Sequence, residues 1–375
     1  MNYDAPNNDE IEISLFGDGF GESILIHLGD DIWLVVDSFI HSETGRPIVF
    51  DYFENIRKDL KYIKYIVVSH WHDDHIKGIS EIFKNAIDSK IIISSALKHK
   101  DFITLVKSTE PIEFSTKTCL YFKDKTGLTE FSEILNILKT RTKDNRKYAL
   151  ADILLYKDKV NNFDISIHSL SPSHNEFEDA LKDILSLIPK ENDYKLKIPS
   201  NREINGTSIV LLIMINDTGI LLGADLENKN DECYGWKNVL KTNALKDKTI
   251  TFFKIPHHGS KTGYSEDLWN YCIDKDNYSF LTSFVNGKNK IPSNKEINDL
   301  LKKSQKLYIT SDPQQRIKQI KRKPSIQKMV NMNVKNIIQS NGEFGHIRVR
   351  FKPYNLDDIK IRLYGKAKKY QVMLH

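Results

Sequence analysis

Cysteine is scarce in this chain of 375 residues. Its three cysteines (Cys119, Cys233 and Cys272) lie far apart and show no C-x-x-C spacing. This pattern excludes a disulfide framework and a cysteine-ligated zinc site, and it is typical of a reducing compartment. We therefore expect a cytoplasmic protein that is stabilised by an ordinary hydrophobic core, which a 40% content of hydrophobic residues can supply.

Long apolar runs are also missing. The longest, residues 209–215, is far too short to cross a bilayer and suits a buried strand instead. The first ten residues, MNYDAPNNDE, are polar and acidic, which is unlike a secretory signal. We therefore expect a soluble protein with no membrane partner.

The net charge of +5 conceals an uneven distribution. Residues 301–375 carry 18 Lys and Arg against four Asp and Glu, so the rest of the chain is acidic. A basic C-terminal quarter fits a polyanionic partner, and it equally fits a solvated lysine-rich surface. On the first interpretation, the basic run 316–323 contacts a phosphate backbone together with Arg348 and Arg350, which share one face of a strand.

Strand-like and helix-like patterns alternate along the chain, which predicts a layered α/β sandwich. Predicted strands lie within residues 11–37, 61–70, 90–95, 163–170, 207–225, 249–256, 278–284 and 306–311. Residues 47–60 and 75–87 predict helices, and we interpret 97–160 as a helical insertion. The expected organisation is a domain of residues 1–310, followed by a basic C-terminal extension of residues 311–375 that ends in an antiparallel strand pair.

The most informative stretch is VVSHWHDDHIKG, residues 67–78, which directly follows an apolar strand. His70 and His72 alternate along an extended segment, so both imidazoles can point to one place. Asp74 and His75 fall where the strand turns into a helix, so they can aim at a second point nearby. This mixture of imidazole and carboxylate suits zinc, manganese or iron rather than calcium.

The pattern H-x-H-x-D-H at a strand end resembles the signature of the metallo-β-lactamase superfamily, which implies a four-layer αβ/βα sandwich. Three further elements of that family occur in the same order, namely Asp37 after WLVV, Asp225 in ILLGAD and the pair His257-His258 in KIPHHGS. The resemblance covers about residues 11–285.

The resemblance also implies a site with two divalent metal ions, Zn²⁺ or Mn²⁺. His70 and His72 would bind the first ion. Asp74 and His75 would bind the second, with Asp225 between the two. His257 would complete the coordination of the second ion, while Asp37 would be a hydrogen-bond partner beside the site.

Three more motifs resemble the metallo-β-lactamase domain of DNA-uptake competence proteins, whose features are those of a nuclease. They are GFGES at residues 19–23, NGTSIVL at 205–211 and KIPHHGS at 254–260. This resemblance implies phosphodiester hydrolysis, with DNA as the partner. We expect Asp74, His258 and Lys261 to take part in catalysis. We expect the substrate to be bound by Lys254, Ser260, Lys261 and Asn205.

Several alternatives stay open at this point. The family's middle histidine ligand is missing where Asn205 and Ser208 stand, and His168 or His174 could replace it. Which of His257 and His258 binds metal is not decided by the sequence. Other substrates for the same fold are a small phosphodiester, a lactone or a thioester. A non-catalytic nucleic-acid-binding subunit is the alternative from another class.

Overall fold

The structure is a computed structural model that describes residues 3–108, 127–142, 145–188, 204–314 and 344–370, together with Ile326 and Met329. The basic run 316–323 lies outside the described residues, so its expected contact with phosphate stays a prediction.

Most strands fall where the alternation of apolar residues predicts them. In chain order they are β1 (Ile11–Gly17), β2 (Glu22–His27), β3 (Trp33–Val36), β4 (Ile63–Val67), β5 (Lys90–Ser94), β6 (Arg146–Ala149), β7 (Ile153–Val160), β8 (Phe163–Ser169), β9 (Leu211–Ile215), β10 (Thr218–Leu222), β11 (Ile250–Lys254), β12 (Ile273–Leu281), β13 (Phe284–Asn286), β14 (Asn289–Ile291), β15 (Lys306–Ile309), β16 (Gly345–Lys352), β17 (Asn355–Gly365) and β18 (Lys368–Lys369).

These strands form two eight-stranded sheets and a small separate hairpin, β13–β14. The first sheet has the order β17-β16-β1-β2-β3-β4-β5-β6, and the second has the order β18-β15-β12-β11-β10-β9-β8-β7. Strands β3 to β6 run parallel, as do β10, β11, β12 and β15. Parallel strands place their carboxyl ends at one edge of a sheet, and each sheet therefore offers one edge at which loops can build a site.

Helices cover the outer faces of both sheets. They are α1 (Ile48–Asn55), α2 (Asp73–Ile76), α3 (Ile79–Asn85), α4 (Lys100–Ser108), α5 (Gly127–Thr140), α6 (His174–Leu187), α7 (Gly235–Val239), α8 (Glu266–Tyr271) and α9 (Asn294–Lys303). The predicted helix at 75–87 is interrupted by Gly78, whose φ of 85° a residue with a side chain rarely adopts. None of the helices in the described part of the chain is long and apolar enough to span a bilayer.

Three apolar layers hold this arrangement together. The inner layer lies between the two sheets and includes Ile13, Ile26, Leu211 and Phe252. A second layer packs α1 and α3 to α6 on the first sheet, and a third packs α7 to α9 on the second. The result is the four-layer αβ/βα sandwich that the sequence predicts.

The segment interpreted as a helical insertion, 97–160, is helical only in part. Helices α4 and α5 lie within it, but β6 and β7 do too, and these strands are the outermost of the two sheets. Strand β7 pairs with β8 across Asn161 and Asn162, which both adopt positive φ. Two such residues form a tight hairpin turn, and this local signal favours strands over helix.

The C-terminal strands β16 and β17 pair in antiparallel fashion as predicted. Because β16 also pairs with β1, both strands belong to the first sheet, with β17 at its edge. The expectation that Arg348 and Arg350 contact a phosphate backbone is wrong. Both side chains are buried and form ion pairs, Arg348 with Asp4 and Arg350 with Asp4 and Glu12. Alternation in a strand predicts that they share a face, but not that the N-terminal residues cover it.

Candidate metal centre

The candidate site lies where the carboxyl ends of β4, β10 and β11 meet. His70, His72, Asp74 and His75 follow β4, Asp225 follows β10, and His257 and His258 follow β11. Among the described residues, three groups bring together ligand atoms suited to a metal, and all three belong to this cluster. They are His70–His72–Asp225, Asp74–His75–His258 and Asp37–His70–His75.

The first group is held by the extended segment after β4. The ring nitrogens His70 Nε2 and His72 Nδ1 lie 3.0 Å apart, as the alternation of an extended chain predicts. His70 Nε2 lies 3.9 Å from Asp225 Oδ2. Two imidazoles and one carboxylate therefore converge on one point.

The second group lies at the start of helix α2. His75 Nε2 lies 3.7 Å from Asp74 Oδ2, and His258 Nε2 lies 3.5 Å from the same oxygen. Asp225 also contacts this group, because its Oδ1 is 3.6 Å from His75 Nε2. Asp225 thus lies between the two groups, which is the position that the family resemblance implies for it.

Asp37 fixes the orientation of two of these histidines. Its Oδ2 receives a hydrogen bond from His75 Nδ1 at 2.8 Å and another from the Ser69 hydroxyl at 2.6 Å. Because the hydroxyl hydrogen of Ser69 is used in this way, its oxygen accepts from His70 Nδ1, 2.9 Å away. Nε2 is then the ring nitrogen that each imidazole directs into the cluster, as in metal-binding histidines whose other nitrogen donates a hydrogen bond.

The charges in the cluster also suit cations. Burial lowers the pKa of His70 and His72, so both rings are neutral near pH 7. Burial alone would raise the pKa of Asp225, yet the surrounding histidines hold it well below its usual range. Burial would lower the pKa of His75, but the carboxylates of Asp225, Asp74 and Asp37 raise it to about 10. The carboxylates thus favour positive charge at this point.

Several buried polar atoms of the cluster have no hydrogen-bond partner, although buried polar groups are normally satisfied. They are His72 Nε2, His75 Nε2, Asp225 Oδ1 and His258 Nε2. The nitrogens of His75 and His258 among them lie within 4 Å of Asp225, and unpartnered nitrogen and carboxylate atoms so close together are what a divalent metal ion would satisfy. The residues therefore fit divalent metal ions, although the donor set does not select zinc over manganese.

The structure exchanges the expected positions of His257 and His258. His258 Nε2 faces Asp74 and Asp225, whereas Nδ1 of His257 lies 2.9 Å from Thr262 Oγ1 and 3.5 Å from Glu227 Oε1. The ligand position assigned to His257 is thus taken by His258. Both residues adopt positive φ, as do Asp37 and Ala224. Such strain clusters at functional sites, because the surrounding structure must hold it in place.

The histidines proposed as substitutes for the missing middle ligand lie elsewhere. His168 is on β8, and His174 begins α6 with its side chain 71% exposed beside Glu178. Neither belongs to the three ligand groups found in the described residues. Asn205 is buried; it donates to Glu227 Oε1 at 2.9 Å and leaves its own Oδ1 without a partner. Glu227 is a neighbour of the site that the sequence analysis missed.

The residues expected to bind substrate separate into two kinds. Lys254 is buried, and its Nζ lies 2.7 Å from Glu22 Oε1, so the expectation that it binds the substrate is wrong. Ser260 is buried and bonds to Thr262 within its own loop. Lys261 is exposed, as a substrate contact requires.

A pair of aromatic rings that the sequence analysis missed adjoins His258. The ring centre of Phe284 lies 5.3 Å from that of His258 and 5.4 Å from that of Phe20. Both phenylalanines are partly exposed, and Lys77 Nζ lies 5.8 Å from the Phe20 ring centre. Phe20 belongs to the GDGFG turn, whose Asp18 carboxylate accepts the amides of Phe20 and Gly21.

Comparison with known proteins agrees with this geometry. Residues 16–111 match the family model described as the Metallo-beta-lactamase superfamily. The matched segment contains the whole H-x-H-x-D-H motif, and it covers about a quarter of the chain. The two packed sheets with outer helices are the arrangement that the sequence resemblance implies.

Individual relatives are distant. A segment of 54 residues is 39% identical to the Beta-lactamase-like protein 2 homolog of Caenorhabditis elegans, covering 13% of this chain and 18% of that protein. The match thus spans less than a fifth of the relative.

Solved structures are similar at 12% identity. They include a metallo-β-lactamase motif mutant from Cronobacter sakazakii (64% of this chain, 75% of that chain, TM-score 0.34) and the MIM-2 metallo-β-lactamase (69%, 77% and 0.36). Similarities this weak carry no information about substrate.

Proposed function

We propose that this protein is a metal-dependent hydrolase that cleaves phosphodiester bonds, with nucleic acid, and DNA in particular, as its substrate. The observation that carries the proposal is the position of Asp225, whose carboxylate lies within 4 Å of histidines from both ligand groups. Its Oδ2 lies 3.9 Å from His70 Nε2 and 3.7 Å from His258 Nε2, and its Oδ1 lies 3.6 Å from His75 Nε2. A carboxylate shared in this way is suited to two neighbouring cations. Two divalent ions there would polarise a phosphoryl oxygen and lower the pKa of a water molecule.

The residues around the two ligand groups have separate tasks. His70 and His72 would hold one ion, while Asp74, His75 and His258 would hold the other. The exposed ammonium of Lys261, three residues after His258, can offset negative charge on a phosphoryl oxygen as the transition state forms. Asp37 keeps His75 oriented throughout.

The surface beside His258 favours a nucleic acid over a small ester. Phe20 and Phe284 offer partly exposed rings for stacking an unpaired base, and Lys77 adds a cation above Phe20. Phe284 begins the β13–β14 hairpin, on which Lys288 and Lys290 are exposed. Lys288 and Lys290 support the proposal better than four basic residues of the C-terminal quarter do. Those four, Arg348, Arg350, Lys352 and Lys368, form ion pairs with Asp4, Glu12, Asp9 and Asp312.

Activity can be tested directly with protein loaded with Zn²⁺ or Mn²⁺. The substrates are bis(p-nitrophenyl) phosphate, single-stranded DNA, linear duplex and plasmid, beside a lactone and a thioester. We expect cleavage of the phosphodiesters and its loss in Asp74→Asn. The control is Asp59→Asn, because Asp59 is exposed, accepts the amide of Lys61 and lies outside the ligand groups.

Each contrary result has a defined meaning. Hydrolysis of the lactone or thioester alone would replace the proposal with a small-molecule hydrolase. DNA binding without cleavage of any substrate would indicate a non-catalytic nucleic-acid-binding subunit.

The stacking surface has its own test. Phe20→Ala and Phe284→Ala should each raise KM for single-stranded DNA about 5- to 150-fold, since stacking of one base on an aromatic ring contributes about 1–3 kcal/mol. The exposed Tyr271 on α8 provides the control variant Tyr271→Ala. Equal KM values in all three variants would remove the two phenylalanines from the substrate site.

A further inference from the structure

A buried network of polar contacts leads from the metal centre into the space between the two sheets. His258 Nδ1 lies 3.0 Å from the hydroxyl oxygen of Thr282, the first residue after β12. The Thr282 hydroxyl donates to Glu22 Oε2, and Lys254 Nζ lies 2.7 Å from Glu22 Oε1. All four residues are buried. The network therefore joins β2 of the first sheet to β11 and β12 of the second.

The hydrogen atoms in this network of polar contacts can be placed by elimination. A carboxylate beside an ammonium group accepts hydrogen bonds and does not donate, so Thr282 gives its one hydroxyl hydrogen to Glu22. The hydroxyl oxygen can then only accept, and His258 must carry its hydrogen on Nδ1. Nε2 of His258 is then the ring nitrogen directed at the cluster, where it faces Asp74 and Asp225.

The same lysine also contacts the backbone that positions Asp225. Lys254 Nζ donates to the carbonyl oxygen of Ala224 at 3.3 Å. Ala224 adopts a φ of 45°, a conformation that costs free energy in a residue with a side chain. Its carbonyl also accepts the amide of His257 at 2.9 Å. Lys254 thus helps to hold a strained turn whose next residue is Asp225.

We propose that Glu22, Thr282 and Lys254 are positioning residues that fix His258 as a metal ligand and hold the turn carrying Asp225. The arrangement repeats the one on the other side of the cluster, where Asp37 and Ser69 orient His70. It also gives GFGES and KIPHHGS one shared task, because Glu22 belongs to the first motif and Lys254 to the second. The inference rests on the metal centre of the proposed function, and not on its substrate.

The first test is the protonation of His258 in the metal-free protein. Nitrogen-15 NMR of the histidine side chains, with His258→Gln used for assignment, should show His258 with its hydrogen on Nδ1. A ring with its only hydrogen on Nε2 would overturn the proposal. This measurement needs neither activity nor a variant of the three positioning residues.

The second test compares Thr282→Val with Thr282→Ser in metal titrations by Co²⁺ absorption and Zn²⁺ competition. Valine keeps the volume of threonine but removes the hydroxyl, whereas serine keeps the hydroxyl. Loss of such a hydrogen-bond partner typically weakens metal affinity about 10–100-fold, and we expect this for one of two ions in Thr282→Val only. Wild-type affinity for both ions in Thr282→Val would overturn the proposal.

The third test removes both buried charges in the double variant Glu22→Gln/Lys254→Met. Its matched control is Glu12→Gln/Arg350→Met, which removes another buried pair of the same signs outside the three ligand groups. Weaker metal binding in the first double variant alone supports the proposal, and equal metal binding in both overturns it. A protein that passes all three tests but cleaves no phosphodiester would contradict the proposed function and leave this inference intact.

Discussion

The Nε2 atom of His258 lies 3.7 Å from Oδ2 of Asp225, while the adjacent His257 turns its Nδ1 towards Thr262, 2.9 Å away. Two neighbouring residues of the same type therefore belong to different parts of the site. Both have positive φ, and the tight turn they form separates the directions of their side chains.

This separation predicts different results for the two alanine variants. His258→Ala removes a ligand atom from the cluster, so the purified protein should retain about one metal ion fewer than the wild type. His257→Ala should retain the full complement. Elemental analysis after dialysis measures both, and metal loss confined to His257→Ala would reverse the assignment.

Asp225→Asn should lower the affinity for both metal ions together. A carboxylate between two cations reduces their mutual repulsion, and a neutral amide of the same shape cannot. Metal titration of the variant should show weaker binding in both steps, whereas His258→Ala should affect one step. Unchanged binding in Asp225→Asn would place this residue outside the metal centre.

The buried pair of Glu12 and Arg350 predicts a large effect on stability. Arg350 Nε lies 2.7 Å from Glu12 Oε2, and Ser14 and Tyr52 donate to Oε1 of the same carboxylate. Arg350→Met leaves this carboxylate buried without its cation, which should lower the free energy of unfolding by about 3–5 kcal/mol. Urea unfolding should show a smaller loss when Glu12→Gln is added, and a larger loss would contradict the pairing.

His27 predicts a loss of stability in mild acid. Burial lowers its pKa to about 4, and the neutral ring donates from Nδ1 to the Glu10 carbonyl at 2.8 Å. In the unfolded chain histidine titrates near 6.5. The unfolded state therefore binds an extra proton between these values, so stability is constant above about pH 6.5 and falls as the pH drops towards 4.

The measurement is urea unfolding of the wild type and His27→Asn at pH 7.5 and 4.5. The drop between the two pH values should be about 2–3 kcal/mol larger in the wild type. Equal drops would show that His27 is not held neutral in the folded protein.

We expect the exposed lysines of the β13–β14 hairpin to attract the phosphates of a nucleic acid. Lys288→Ala/Lys290→Ala should flatten the dependence of log affinity on log salt by about 1.4 for single-stranded DNA, because each neutralised phosphate contributes about 0.7. Lys321→Ala/Arg322→Ala/Lys323→Ala tests the basic run 316–323 in the same assay. A change in that variant alone would place the contact there and not on the hairpin.

The part of the site that could be predicted from sequence is the part that is local. His70, His72, Asp74 and His75 follow one strand within six positions, so strand and helix periodicity fix their relative directions. Asp225 is marked by the family resemblance and by the apolar strand before it.

The rest depends on contacts between distant parts of the chain. Lys254 ends a strand beside two histidines, and the sequence does not show that Glu22 of the other sheet lies against it. The burial of Arg348 and Arg350 likewise depends on the N-terminal residues, which cover that face of β16. Sequence patterns identified these residues as candidates for binding, but the packing of the sheets decides which of them are exposed to solvent.

The pairing of β16 with β1 also determines when the first sheet can finish folding during synthesis of the protein. Strand β1 leaves the ribosome early, and its partner β16 emerges only after every strand of the second sheet but β18. Until then one edge of β1 is open to pairing with other chains, and Glu12 has no cation beside it. Nascent chains that stall before residue 345 should therefore need protection by chaperones, although all six ligand residues of the metal centre have already been translated.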